Sequence, residues 1–151
     1  MTSSPRFSSQ VEEELLAAGW TPGRSVDVER WTAPFEAAGL TAHPAARDFL
    51  AEFGGLHFVF SGPGVECARQ TFELDPLLCE GEEDSFLEWS EEQGHSYFPV
   101  GHLDEGRFAL LGIDETGALH GVESVLDRYG PVPECFERLL LGLQPERIAS
   151  V

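Results

Sequence analysis

Residues 49–58, FLAEFGGLHF, constrain the fold of this chain more than any other segment, because two kinds of apolar spacing meet there. The first half repeats apolar side chains at helical intervals, and the second half alternates them as a strand does. Gly54 and Gly55 separate the two halves, and glycine can adopt the left-handed backbone that ends a helix. The segment therefore predicts a helix that leads directly into a strand, and it contains no catalytic group.

Apolar spacing and end signals predict five helices in the chain. Asp27 is suited to an N-cap, and Pro44 fits a first helical turn. Ser85 and Glu88 have the spacing of a capping box, and Gly94 closes the helix that this box opens. The predicted helices run from Phe7 to Ala18, onward from Asp27, from Pro44 to Phe53, from Ser85 to Gln93, and onward from Pro133.

Alternating apolar residues predict four strands, with a turn at residues 62–64 and a hairpin loop at residues 114–117. Leading helices, central strands and a closing helix predict an α+β domain with a twisted, mostly antiparallel or mixed sheet. We expect one domain over residues 7–151 after a disordered start at residues 1–6. The predicted strands are Leu56 to Ser61, Gln70 to Leu74, Phe108 to Ile113, and Ala118 to Val122.

Four short motifs together are similar to those of a known family: AGWTPGR at residues 18–24, FLAEFGGLHF at 49–58, LDP at 74–76 and YFPVG at 97–101. On these motifs the chain resembles the SUKH superfamily over about residues 7–143, and most closely its third branch, the small bacterial SUKH-3 immunity proteins. The resemblance implies a SUKH-like fold and a protein that holds a polymorphic toxin inactive in the cell that makes it.

The chain carries a formal net charge of −18, and half of it lies between Glu66 and Gly94. That stretch holds ten acidic residues and one arginine, which gives −9. Within the helix predicted there, Phe86 and Trp89 lie on a face that we expect to be buried. Four carboxylates are spaced so that they share another face: Asp84, Glu88, Glu91 and Glu92.

The acidic helix has two interpretations. One is a solvated face that keeps the protein soluble. The other is a recognition surface that steers onto and blocks a basic partner, such as a nuclease or nucleic-acid-modifying toxin. The same charge argues against nucleic acid or an anionic membrane as a partner.

Trp20 and Arg24 are further candidates for partner binding, because tryptophan and arginine are frequent in interface hot spots. The alternative is that Trp20, Arg24 and Trp31 serve the core of the fold, since tryptophan at a helix junction is commonly buried. The predicted partner-binding residues are Glu82, Glu83, Asp84, Glu88, Glu91, Glu92, Trp20 and Arg24.

The chain has no recognisable catalytic or metal-binding motif. Its five histidines never occur as H-x-x-x-H or H-E-x-x-H, its three cysteines form no C-x-x-C pair, and no G-x-S-x-G is present. SGPGVE at residues 61–66 lacks the third glycine and the basic residue of a phosphate-binding loop, so a turn is favoured. A metal site assembled across the fold stays open, with His95 the first residue to inspect.

These observations predict a cytoplasmic immunity protein that has no catalytic activity, needs no cofactor or metal, and binds a toxin as a monomer. No apolar run approaches the roughly 18 residues of a membrane span, and the N-terminal residues lack the apolar core of a secretory signal. One alternative is a general protein-interaction module of the same fold without a toxin partner. Another is a small hydrolase or metal enzyme that uses scattered histidines and carboxylates.

Overall fold

The computed structural model describes residues 6–60, 62–107 and 109–150, in which five α-helices and one seven-stranded sheet make an α+β fold. All neighbouring strands are antiparallel and follow chain order across the sheet, so the predicted fold class is confirmed. The helices are α1 (Ser9–Ala17), α2 (Glu29–Ala37), α3 (Pro44–Phe53), α4 (Glu83–Gln93) and α5 (Glu134–Leu141). The strands are β1 (His57–Phe58), β2 (Phe72–Glu73), β3 (Phe98–Leu103), β4 (Ala109–Ile113), β5 (Leu119–Val122), β6 (Val125–Gly130) and β7 (Glu146–Ser150).

The helix predictions differ from the structure mainly at the N-termini. α3 has its predicted bounds, with Pro44 in the first turn. The predicted capping box of Ser85 is wrong, because α4 begins two residues earlier and its N-cap, Glu82, makes no side-chain capping bond. Asp27 does accept a hydrogen bond from the backbone N–H of Glu29 at 3.2 Å, one residue outside the N-cap position.

The strand predictions missed three of the seven strands. Pro99 and Gly101 interrupt the apolar pattern of β3, where the pairing with β4 has a register shift, and His102 lies in this strand. β7 is exposed along most of its length, so its sequence has no apolar alternation to detect. β1 and β2 are two residues each, shorter than predicted. The predicted strand ends Ser61 and Phe108 lie outside the described residues.

The joint between α3 and β1 uses its two glycines differently from the prediction. Gly55 has a φ of +88°, as expected for a residue that ends a helix. Gly54 has a φ of −58° and is needed for space, since a Cβ there would lie 2.7 Å from Cη2 of Trp31 and 2.5 Å from the carbonyl oxygen of Leu50. The joint is therefore fixed by close packing at Gly54 as well as by backbone freedom at Gly55.

Aromatic rings join the helices into one core. The ring of Phe136 in α5 lies 4.6 Å from that of Phe53 and 6.1 Å from that of Phe49, both in α3, measured between centroids. Phe7, just before α1, places its ring 6.1 Å from Phe136. All four side chains are at most 5% exposed. Three helices distant in sequence therefore share one apolar cluster.

That cluster covers one face of the sheet, called here the α5 face. Phe58 and Phe72 are register partners on β1 and β2, and Leu103 of β3 pairs with Phe72. The ring of Phe58 lies 6.4 Å from that of Phe136 in α5. The α5 face is therefore closed by aromatic contacts between strands and helix.

α4 covers the opposite face, called here the α4 face. Side chains alternate along a strand, so His102 and its partner Leu110 point away from the α5 face. Gly112, two residues after Leu110, accommodates Phe86 of α4, because a Cβ at that glycine would lie 2.8 Å from the Phe86 ring. The sheet thus separates α4 from α5.

No helix in residues 6–60, 62–107 and 109–150 combines the length and the apolar character needed to cross a bilayer.

The predicted disordered start falls on residues 1–5, outside the described residues, and on Arg6. The guanidinium of Arg6 lies 2.6 Å from Oε2 of Glu52 in α3.

We expect a single cooperative unfolding transition, because the aromatic cluster joins α1, α3, α5 and the sheet into one core. The measurement is differential scanning calorimetry, in which the calorimetric and van 't Hoff enthalpies should agree. Two separable transitions would show that the chain contains two independent domains.

Candidate functional site

α4 presents one acidic face to solvent and one apolar face to the sheet. Its apolar face is anchored by Phe86, which is fully buried, and by Trp89, which is 4% exposed. The indole N–H of Trp89 donates a 3.0 Å hydrogen bond to the carbonyl oxygen of Glu123 in the β5–β6 connection. All four carboxylates of the predicted acidic face are exposed: Asp84, Glu88, Glu91 and Glu92.

The C-terminal part of α4 is fixed to β3 through Ser90. The hydroxyl of Ser90 donates to the carbonyl oxygen of Phe86 at 2.6 Å and accepts from the backbone N–H of Tyr97 at 3.0 Å. Gly94 then ends the helix with a φ of +70°, as predicted. These contacts hold the acidic face in place although its carboxylates repel one another.

A groove of about 650 Å³ lies on the α4 face beside the start of α4, and we call it the acidic groove. Its apolar floor includes Leu78, Leu110 and Val122. Leu110 and Val122 are register partners on β4 and β5, and Leu78 belongs to the short 3₁₀ helix before α4. The groove is rimmed by four carboxylates: Glu80, Glu82, Glu105 and Glu123.

The charged residues that line the acidic groove are mostly acidic, and one of them, Glu105, pairs with Arg107 outside the lining at 3.7 Å. Among the described residues that line it, none is an arginine, and His102 is the one side chain able to carry a positive charge. Hydrogen bonds from the hydroxyl and the backbone N–H of Ser124 lower the pKa of Glu123, which keeps it ionised. The groove therefore favours a ligand with cationic groups around an apolar centre.

Three of the four rim carboxylates are absent from the predicted partner-binding residues: Glu80, Glu105 and Glu123. Glu105 and Glu123 come from the β3–β4 and β5–β6 connections, and only the sheet brings them beside α4. Asp104 and Glu105 have φ values of 50° and 55°, a left-handed conformation that is uncommon outside glycine. Such strain often accompanies a functional site. The sequence DEG at residues 104–106, between two apolar segments, predicts a turn. It does not predict which other residues the turn lies beside.

The structure favours the core role for Trp20. It is 5% exposed, its indole N–H donates to Oε2 of Glu52 at 3.1 Å, and its ring lies 5.5 Å from that of Phe7. It does not line the acidic groove.

Arg24 is likewise used within the fold. Its terminal nitrogens donate to the carbonyl oxygens of Glu52 and Gly54, both at 2.8 Å. These two carbonyls belong to the last turn of α3, which a cation stabilises. Burial lowers the pKa of the Arg24 guanidinium. Arg24 does not line the acidic groove either.

The histidines are dispersed over the fold. His95, the candidate to inspect first, places Nδ1 2.6 Å from Oε1 of Glu115. His43 accepts a hydrogen bond at Nδ1 from the backbone N–H of Ala46 and so begins α3. In the described part of the chain, no three or more side chains from His, Cys, Asp and Glu are arranged to hold a metal ion.

The cysteines show no reactive character. Cys79 and Cys135 are fully buried, as expected for small apolar residues, and Cys67 is half-buried. Burial raises the pKa of Cys79 to about 12, and the thiol lies 3.1 Å from the carbonyl oxygen of Gly101. A thiol with a raised pKa is a poor nucleophile at neutral pH.

Asp114 and His120 form a buried pair in the β4–β5 hairpin. Nε2 of His120 lies 3.0 Å from Oδ2 of Asp114, and both residues are at most 4% exposed. Oδ1 of Asp114 accepts from the hydroxyl of Thr116 at 2.6 Å and from the backbone N–H of Ala118 at 3.1 Å. Burial alone would raise the pKa of Asp114, but these hydrogen bonds outweigh it and hold the pKa well below its usual range. The carboxylate therefore closes the hairpin loop.

A comparison with protein-family models matches residues 7–139 to the family described as SUKH-3 immunity protein. The chain belongs to the SUKH-3 immunity protein family. The resemblance seen in the sequence is thereby confirmed. Neither a search of curated proteins nor a search of solved structures gives a match. α4 and the residues that line the acidic groove lie entirely within the part of the chain that matches the family.

The two faces of α4 should respond oppositely to mutation. Trp89→Ala removes a buried ring and its hydrogen bond, so we expect unfolding to become easier by about 3–5 kcal/mol. Glu88→Gln with Glu91→Gln removes like-charge repulsion and should leave stability unchanged or raised by about 0.2–0.5 kcal/mol. Urea denaturation measures both free energies. A double glutamine variant destabilised by more than about 1 kcal/mol would show that these carboxylates support the fold.

Stability should fall in acid partly through Asp114. Its pKa is depressed in the folded protein, so its contribution is present above the unfolded-state pKa of about 4 and is lost as the pH falls further below that value. Asp114→Asn should therefore be less stable than wild type at pH 7, and the difference should shrink at pH 2–3. Urea denaturation across this range checks the sign. A difference that stayed constant with pH would contradict the assignment.

Proposed function

We propose that the protein binds a cognate polymorphic toxin in the bacterial cytoplasm and neutralises it by occluding the active site of the toxin. Membership of the SUKH-3 immunity protein family supports the role. The observation that carries the proposal for this chain is the acidic, apolar-floored concavity beside α4, which has the chemistry of a protein-binding surface.

We propose further that the toxin is basic where it is bound, as expected for a nuclease or a nucleic-acid-modifying enzyme. Such enzymes hold phosphates with arginine and lysine, and that patch is complementary to the carboxylates of the α4 face. The net charge of −18 adds long-range attraction to the local contacts. An inhibitor that covers a phosphate-binding patch stops the enzyme without any chemistry of its own.

The acidic face and the acidic groove have different tasks in this proposal. Asp84, Glu88, Glu91 and Glu92 are exposed on the convex side of α4, where charges mainly accelerate encounter. The groove floor offers a half-exposed apolar residue, Leu78, with 38% of its surface accessible. An apolar side chain of the toxin placed on that floor would be surrounded by Glu80, Glu82, Glu105 and Glu123, which pair with neighbouring cations. Glu83 is half-buried at the start of α4, and its Oε1 accepts from the backbone N–H of Gly81 at 3.2 Å, so it supports the rim.

A binding role without catalysis fits the arrangement of the titratable groups. The buried Asp114 and His120 are bonded to one another and to the hairpin loop. The acidic groove offers carboxylates and one histidine, which suits recognition of cations. We propose that the protein acts as a monomer and uses no cofactor or metal.

The first test is co-expression of the protein with the product of the gene upstream of its own. We expect the two to co-purify at 1:1 and the toxin activity to be lost in the complex. A complex that forms with full toxin activity would contradict neutralisation. Stable recovery of a different partner, with no binding to the neighbouring gene product, would favour the general interaction module.

The second test measures how salt changes the rate of association with that toxin. Screening acts mainly on encounter, so raising ionic strength from 50 to 500 mM should slow association by at least about tenfold while dissociation changes little. Glu88→Gln with Glu91→Gln should slow association at low salt. Glu13→Gln with Asp48→Asn is the matched control, because both residues are exposed on other helices and the charge change is equal.

The groove is tested separately by Leu78→Ala, which should speed dissociation and leave the salt dependence of association unchanged. If the α4 double variant and the control associate with the toxin at equal rates, the acidic face is only a solvated surface and does not steer the toxin. Unchanged dissociation for Leu78→Ala would exclude the groove floor from the interface.

A further inference from the structure

A second concavity, of about 320 Å³, lies on the α5 face of the sheet, away from the acidic groove. One row of register partners crosses the sheet from β4 to β7: Leu111, Gly121, Asp127 and Arg147. These positions lie on the α5 face, as Leu103 does. Asp127, Arg147 and Leu103 line this pocket. It is therefore separated from the acidic groove by the sheet.

The walls of this pocket are held by hydrogen bonds around the end of α5. The loop before β2 donates from the backbone N–H groups of Glu66 and Cys67 to the carbonyl oxygen of Gly142, at 2.8 and 2.9 Å. The side chain of Glu66 accepts from the backbone N–H of Gln144 at 2.9 Å. Arg138 donates to the carbonyl oxygen of Gln144, also at 2.9 Å. The pocket is therefore built in advance, as small-molecule sites usually are.

The residues that line this pocket include two arginines and one acid, in a chain of net charge −18. Arg138 pairs with Glu134, outside the lining, at 3.5 Å, so Arg147 at the pocket mouth is the cation placed to meet a ligand. Nε of Arg147 donates to Oδ1 of Asp127 at 2.5 Å, and the Arg147 side chain is 59% exposed at the mouth. The remaining guanidinium edge can therefore bind a planar or tetrahedral oxyanion.

The deeper part of the pocket is apolar with one polar ring. Leu103 and Leu139 are 1% and 6% exposed, and Tyr129 is 6% exposed. Burial raises the pKa of Tyr129, so its hydroxyl stays a donor at neutral pH. The inner part of the pocket therefore suits an apolar ring or a short aliphatic chain of a ligand, and the mouth suits a negatively charged group.

We propose that this pocket binds a small organic anion, with its apolar body against Leu103 and Leu139 and its carboxylate or phosphate group at Arg147. The volume is at the lower end of the range for small-molecule sites, about 300–1,000 Å³, which limits the body to about one ring. The bound anion connects the loop before β2, the end of α5 and β7, all of which contribute to the walls.

The test is a ¹H–¹⁵N correlation titration of the full chain with benzoate, with phenyl phosphate and with neutral benzamide. We expect saturable shifts of the backbone amides around residues 66–70, 138–144 and 147 with at least one of the two anions. The stronger of the two identifies the carboxylate or the phosphate as the preferred group. Benzamide should bind about tenfold or more weakly, because it lacks the charge-assisted bond.

Two variants and one control separate charge from shape. Arg147→Gln should weaken binding of the preferred anion by about tenfold, and Leu143→Phe should abolish it by filling the pocket with no change of charge. Arg128→Gln is the control, since it removes the same charge from the same sheet without lining the pocket. Both variants must retain the wild-type pattern of shifts away from the pocket.

The proposal would be overturned if neither anion saturated the shifts, or if benzamide bound as tightly as the anions. It would also be overturned if Arg128→Gln weakened anion binding as much as Arg147→Gln does. Toxin binding is measured in separate experiments, so either proposal can fail without the other.

Discussion

The contact of Phe136 with the rings of α3 and β1 is the interaction on which the rest of this structure depends. It brings together a helix near the end of the chain, a helix from its first third and the first strand of the sheet. Burial of one phenylalanine contributes about 1.5–3 kcal/mol, and edge-to-face or offset contacts add to that. This cluster closes the α5 face, and α4 covers the other face together with the short 3₁₀ helix that precedes it.

Incomplete cover of the α4 face produces the candidate binding surface. α4 is 11 residues long and lies over the sheet through Phe86 and Trp89, so it leaves Leu110 and Val122 as the floor of a groove. The fold has no structural need for four carboxylates around such a floor. Like charges on α4 cost about 0.2–0.5 kcal/mol per pair, whereas the buried ring of Trp89 is worth several times more. The fold thus tolerates an acidic face that local energetics disfavour, which is expected where a surface serves recognition.

Local signals in the sequence were sufficient for the helices and for the exposed face of α4. The α3–β1 joint was predicted because helical and alternating spacing are both carried by neighbouring residues. β3 and β7 were missed because Pro99 and Gly101 break the pattern in one and exposure removes it in the other. The same limit applied to the site, since Glu105 and Glu123 reach the groove only through strand pairing. Trp20 was ambiguous in sequence because a buried tryptophan and an interface tryptophan have the same local context.

The total charge alone would not make the α4 face selective for a partner. A net charge of −18 spread evenly over the molecule attracts any cationic protein and gives no preferred orientation. A preferred orientation of the partner requires that the electrostatic field of the protein be concentrated at one place. A concave site with an apolar lining concentrates the field, because field lines avoid the low-dielectric interior. The acidic groove has such a lining in its floor residues Leu78, Leu110 and Val122, and the convex face of α4 does not. In the function that we propose, carboxylates on α4 therefore act chiefly on how often a basic partner arrives, and the groove acts on which part of the partner stays.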